Sequence, residues 1–210
     1  MFNFPSLESI ALMLPAIVIG LTFHEYAHGY VAYRLGDNTA RDHGRLTINP
    51  LAHVDPVGLI LLFLAGFGWA KPVPVNPYNL KGDVQKGMLY VSLAGPTMNL
   101  LLAIAGAIVW GALAGFKMRY FSDIMEYIIH INIVLAIFNL IPVPPLDGSK
   151  ILAGILPGRQ NWLYQLETYG VIILILLVFS GAIGYIFNIF VRPIVIALYS
   201  LARFISSITF

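Results

Sequence analysis

An all-α polytopic membrane protein is what this sequence predicts, on three observations. Hydrophobic residues make up 59% of the 210 and charged residues only 10%, against about 25% charged in a soluble domain. The mean hydropathy is +0.82. Several apolar runs reach the ~20 residues that a helix needs to cross the hydrocarbon of a bilayer. A water-soluble enzyme and a disordered chain are thereby excluded. Twelve Lys and Arg against ten Asp and Glu leave a net charge of +2, too balanced for a nucleic-acid partner. The absence of cysteine rules out disulfides and a cysteine-ligated metal.

The first predicted helix spans about residues 7–35. The apolar run from Leu7 continues through Thr22-Phe23-His24-Glu25-Tyr26-Ala27-His28, and Gly36-Asp37-Asn38 stops it. A signal peptide is not expected here, because the start lacks Lys and Arg and no small-residue cleavage site follows. Residues 36–53 are polar and turn-rich. The apolar stretch 55–69 is too short to cross, so a re-entrant segment is expected. In Lys71-Pro72-Val73-Pro74-Val75-Asn76-Pro77 the prolines forbid helix, which predicts an extended, β-like edge or a polyproline segment. Further helices are expected over 87–115 and 121–141, the latter ended by Pro142-Val143-Pro144-Pro145. A short helix then runs to Leu156. One more span reaches about Tyr185, and a last one, interrupted at Arg192-Pro193, reaches the C-terminus.

Charge selects the topology. If 55–69 spanned, the loop cations would divide four against five, which fixes no orientation. If it dips and returns, Arg41, Arg45, Lys71, Lys81, Lys86, Lys150 and Arg159 face Lys117 and Arg119 across the membrane. Basic loops stay cytoplasmic, so the first helix runs inward. It then lies parallel to the helix that precedes Asp147.

His24-Glu25-Tyr26-Ala27-His28 is an HExxH pattern on a helix. Residues four apart share a helix face, so both imidazoles can reach one ion, and Glu25 stands beside it to take a proton from water. His24 lies about 11 residues before Leu35, roughly 16 Å up the helix. Ionisable groups at such depth are costly and default to function. A catalytic zinc takes three protein ligands and leaves one position open. The candidates for the third are Asp147, His53, His43, His130, Glu126 and Asp123. Asp123 and Glu126 fall near the wrong face. His130 is expected to be a core histidine bonded to a backbone carbonyl, and His43 to be solvated. Asp147 is at the right depth behind irregular, proline-rich backbone, which membranes tolerate around a cavity; the alternative is a simple turn.

The chain resembles the site-2 proteases, intramembrane zinc metalloproteases, in the form without PDZ or CBS domains. The motifs are His24 to His28, Asn49-Pro50-Leu51-Ala52-His53, Gly68-Trp69-Ala70-Lys71-Pro72-Val73, Ser92-Leu93-Ala94-Gly95-Pro96-Thr97-Met98-Asn99, and Asn139-Leu140-Ile141-Pro142 through Leu146-Asp147-Gly148. The resemblance implies one Zn2+ held by His24, His28 and Asp147, with Glu25 as general base. It implies a three-helix catalytic core with a membrane-dipping β-like segment, within residues 1–160; the transmembrane helices of 161–210 complete the same domain. Asn99 is similar to a residue implicated in substrate or transition-state contact. It could donate to an oxyanion or tie helices together. The extended segment around Val73-Pro74-Val75 could hold substrate by strand addition or serve as a structural lid. The implied partners are transmembrane segments of membrane protein substrates in a lipid bilayer, at the cell membrane, with the site toward the cytoplasm. A non-proteolytic metal-binding scaffold and an ion or solute transporter are the alternatives.

Overall fold

The computed structural model describes residues 6–65, 68–116, 118, 120–158 and 161–209. It contains α1 (Leu7–Arg34), α2 (Thr39–Asp42), α3 (Pro56–Ala65), α4 (Val84–Leu113), α5 (Phe121–Asn139), α6 (Asp147–Ile155), α7 (Asn161–Phe179) and α8 (Ala182–Thr209). Among the described residues no strand forms. Four helices are long and apolar enough to cross a membrane: α1, α4 continued to Phe116, α5 and α8. The chain is an all-α, multi-pass integral membrane protein.

Local chemistry sets the boundaries. Ser6 caps α1 through Ser9 N, and Asp83 caps α4 through the amides of Gln85 and Lys86. Asp55 accepts from Val57 N and Gly58 N at the start of α3, where Pro56 occupies a first-turn position that needs no donor.

α1, α4 and α5 form the core that carries the site. Gly20 of α1 lies against Leu135 and Asn132 of α5, and Gly106 of α4 lies against Ile128 and Ile129. Lipid supplies no hydrophobic drive for helix association, so close packing over small residues replaces it. α8 closes one side, with Val191, Val195, Leu198 and Ala202 on Ala103 and Ala107 of α4 and on Ile129 and Ile133 of α5. α1 and α5 run parallel. Gly20 is level with Asn132, and His24 is level with the turn that follows Asn139.

The segment after α1 dips and returns. Val54 and Ala70 form an isolated antiparallel bridge, and Lys71 N donates to His53 O at 2.8 Å. Both ends of 55–69 therefore meet at one level. The expected β-like character reduces to this bridge, because α3 fills the outward limb and prolines interrupt donation on the return. Lys117, Arg119 and Arg159, which the charge comparison uses, lie outside the described residues.

Two boundaries differ from expectation. The span expected to reach Tyr185 ends at Phe179, where Gly181 takes φ 79°, a left-handed conformation suited to glycine. Pro193 then lies inside an unbroken α8, as membrane helices permit.

Asp37 anchors the return limb to the end of α1. Its buried carboxylate accepts from Thr39 N, Thr39 Oγ1, Asn76 N and Asn79 Nδ2. Burial alone would raise its pKa, but these donors prevail and hold it below the ordinary value. A depressed folded-state pKa contributes stability fully above the unfolded value, about 3.9, and loses it as pH falls through the folded one. Asp37→Asn should cost about 1–3 kcal/mol at neutral pH. It should also flatten the acid limb of thermal stability below about pH 4, measured on detergent-solubilised protein.

Candidate metal centre

His24 and His28 stand one turn apart on α1 and are buried. Each ring is held by its Nδ1. His28 Nδ1–H donates to Val91 O at 2.7 Å, an acceptor that cannot donate back. His24 Nδ1 lies 2.7 Å from Asn99 Oδ1. That amide's orientation is fixed, because its Nδ2 donates to Gly20 O at 3.1 Å and to Asn132 Oδ1 at 2.9 Å. In its neutral form each ring therefore carries the proton on Nδ1 and presents the Nε2 lone pair.

The two Nε2 atoms are 3.0 Å apart, and each is 3.2 Å from Asp147 Oδ2. No donor from outside the two rings reaches that buried oxygen among the described residues. Two ring nitrogens and a carboxylate oxygen thus converge, an arrangement suited to a metal ion and otherwise relieved by a proton on one ring. Tetrahedral zinc at 2.0–2.2 Å from its ligands implies ligand–ligand edges of about 3.3–3.6 Å. The observed triangle matches to a few tenths of an ångström, so the residues fit the ion. His24, His28 and Asp147 are the only such group among the described residues.

α6 delivers Asp147. It is the first residue of that helix, where the dipole favours a carboxylate. Gly148 presses on the carbonyls of Leu140 and Ile141, which a Cβ would strike. Gln85 Nε2 donates to Ala153 O and Leu156 O at the far end of α6, both at 2.7 Å.

Glu25 is partly exposed, on the turn between buried His24 and buried His28. Its Oε2 accepts from Val73 N at 2.7 Å, and Val73 packs its side chain on Gly29. The extended limb thus braces Glu25. Lys71 N is bound to His53 O, Val73 N to Glu25 and Asn76 N to Asp37; Pro72 and Pro74 have no donor. From Lys71 to Asn76 this leaves Val75 as the amide available for strand addition, and the donor inventory favours a brace.

The remaining candidates lie elsewhere. His53 is fully buried with Nε2 on Thr47 O at 2.7 Å, a loop-forming contact. His43 Nδ1 is bonded to Thr39 O. His130 is no core residue: it is exposed on the wall of a cavity of about 460 Å³ lined also by Glu8, Asp123 and Glu126. Asn99 lies beside His24 with its oxygen and both amide hydrogens engaged, leaving no hydrogen for an oxyanion. Sequence reasoning missed Asn132, Val91 O and the Val73 amide. An amide side chain inside an apolar helix was the available signal for Asn132; backbone groups leave no trace in residue identity.

Comparison with known proteins agrees with this geometry. The model of peptidase family M50 matches residues 116–183. The chain is 41% identical over 184 residues to "Putative zinc metalloprotease YwhC" of Bacillus subtilis, covering 84% of each chain. It is 28% identical to "Putative zinc metalloprotease Rip2" of Mycolicibacterium smegmatis, over 82% of this chain and 68% of that one. It is 30% identical to "Putative zinc metalloprotease MJ0611" of Methanocaldococcus jannaschii, over 72% and 75%. No solved structure matches. The fold and site define a membrane-embedded zinc metalloprotease of the site-2 type. The chain belongs to peptidase family M50, which decides against the scaffold and transporter alternatives.

Gly95 lines the centre from α4. A Cβ there would lie 2.5 Å from His24 Cε1 and His28 Nε2. Gly95→Ala should therefore abolish stoichiometric zinc uptake, measured by elemental analysis, whereas Gly184→Ala, in open space, should keep it.

Proposed function

We propose that the chain hydrolyses a peptide bond within or near the transmembrane segment of a membrane protein, as in regulated intramembrane proteolysis. His24, His28 and Asp147 hold the ion and Glu25 is the general base. The observation that carries this reading is the convergence of two tautomer-fixed imidazoles and an orphaned carboxylate oxygen, about ten residues or 15 Å inside the end of α1. A soluble substrate would have no reason to meet its catalyst at that depth.

Zinc bound there supplies a Lewis acid for the scissile carbonyl and lowers the pKa of water. The residues do the rest. Val73 N–H holds Glu25 Oε2, which leaves Oε1 to accept a proton from the attacking water and pass it to the leaving amine nitrogen. A helical peptide bond is shielded, so the substrate must unwind before it reaches this position. Asn99 acts on the site by positioning His24, in place of the oxyanion role. The catalytic core occupies residues 1–160, and 161–210 complete the same domain by packing α8 on α4 and α5. The balance of basic loops and the meeting of both ends of 55–69 support a cell-membrane protein with its site toward the cytoplasm.

Purified wild type and Glu25→Gln are to be incubated in liposomes with single-span membrane proteins and the products mapped by mass spectrometry. Wild type should cut within or beside the span. Glu25→Gln should retain one zinc and lose at least about 10²-fold in rate. Equal cleavage by that variant, or cuts only in soluble domains, would overturn the reading. Val73→Pro removes the donor to Glu25 and should lower kcat about tenfold, the lower range for one hydrogen bond to a charged group, at unchanged zinc content.

A further inference from the structure

We infer that Asn132 of α5 is a positioning residue for the metal centre, acting on His24 through Asn99. The inference rests on the metalloprotease reading and concerns how its first ligand is made competent. The two ligand histidines are secured differently. The partner of His28 is a backbone carbonyl, which can only accept. The partner of His24 is a side-chain amide, which could turn either end toward the ring. With nitrogen facing Nδ1, the ring would carry its proton on Nε2 and have no lone pair for a cation.

Two acceptors prevent that rotation. Asn99 Nδ2 donates to Gly20 O and to Asn132 Oδ1, and turning the amide would set oxygen against oxygen at both. Gly20 O is backbone. Asn132 is a side chain with its own choice of orientation, fixed by Nδ2 donating to Ile128 O at 2.9 Å. The run His24, Asn99, Asn132, Ile128 O thus has one consistent direction of donation, beginning at the imidazole Nδ1–H and ending on a backbone carbonyl. It links α5, α4 and α1, and both amide residues are fully buried. Gly20 makes room for it, since a Cβ there would sit 3.1 Å from Asn132 Oδ1. Groups behind a metal ligand are worth roughly 10–100-fold in metal affinity.

The test is zinc affinity, read by competition with a chromogenic chelator on the full chain in detergent. Asn132→Leu and Asn132→Ala should each bind zinc about tenfold more weakly, and Asn99→Leu about 10–100-fold. The double variant Asn99→Leu/Asn132→Leu should be no weaker than Asn99→Leu alone, because one residue acts through the other. Asn132→Asp still offers an acceptor to Asn99 and should stay within about threefold of wild type. If Asn132→Leu fails to fold, Asn132→Ala carries the comparison. Unchanged affinity in the Asn132 variants, or losses that multiply in the double variant, would overturn the relay alone. A wild-type chain that takes up no zinc would overturn the metal centre and the relay with it.

Discussion

Inside a bilayer no solvent completes the hydrogen bonds of a polar group, so each one must find its partner in the protein. That constraint organises this structure. His24, His28, Asn99 and Asn132 are all buried, and their polar atoms are matched to one another or to the carbonyls of Gly20, Val91 and Ile128. Once those pairs are made, what these residues leave over are the two imidazole Nε2 atoms, which stand with Asp147 Oδ2 within 3.2 Å of one another. The surrounding network shapes the metal site by engaging the Nδ1 side of both rings.

The approach of the helices follows from the same need. Hydrogen bonds of 2.7–3.1 Å between side chains and a neighbouring backbone require helices closer than large residues allow. Gly20 on α1 and Gly95 on α4 stand where the polar chain crosses from helix to helix. Ala103 and Ala107 continue the narrow face of α4 beneath Ile129 and Ile133. Small residues here serve chemistry as well as packing.

Two carboxylates in and just after the C-terminal half of α1 hold the same extended limb. Asp37 fixes it at Asn76 and Asn79, and Glu25 takes the amide of Val73. The first contact is structural and the second lies in the proposed machinery, so the brace joins loop stability to the orientation of the base. The proline-rich composition of this limb removes the donors that would otherwise invite another strand.

Periodicity, breakers and spacing in the sequence determined the membrane class, the long helices, the return of the chain between Val54 and Ala70, and the pairing of His24 with His28 on one helix face, while Asp147 stood among six candidates until the family resemblance singled it out. These are legible because helix spans, proline stops and the four-residue interval of the histidines are local properties of the chain. Tertiary structure alone decided the rest: that Asn99 faces a ring, that Asn132 stands behind it, that a main-chain amide holds Glu25, and that His130 lines a cavity away from the histidine pair. Those outcomes depend on which atoms of distant segments come within about 3 Å, and backbone carbonyls and amides carry no residue identity by which a sequence could announce them.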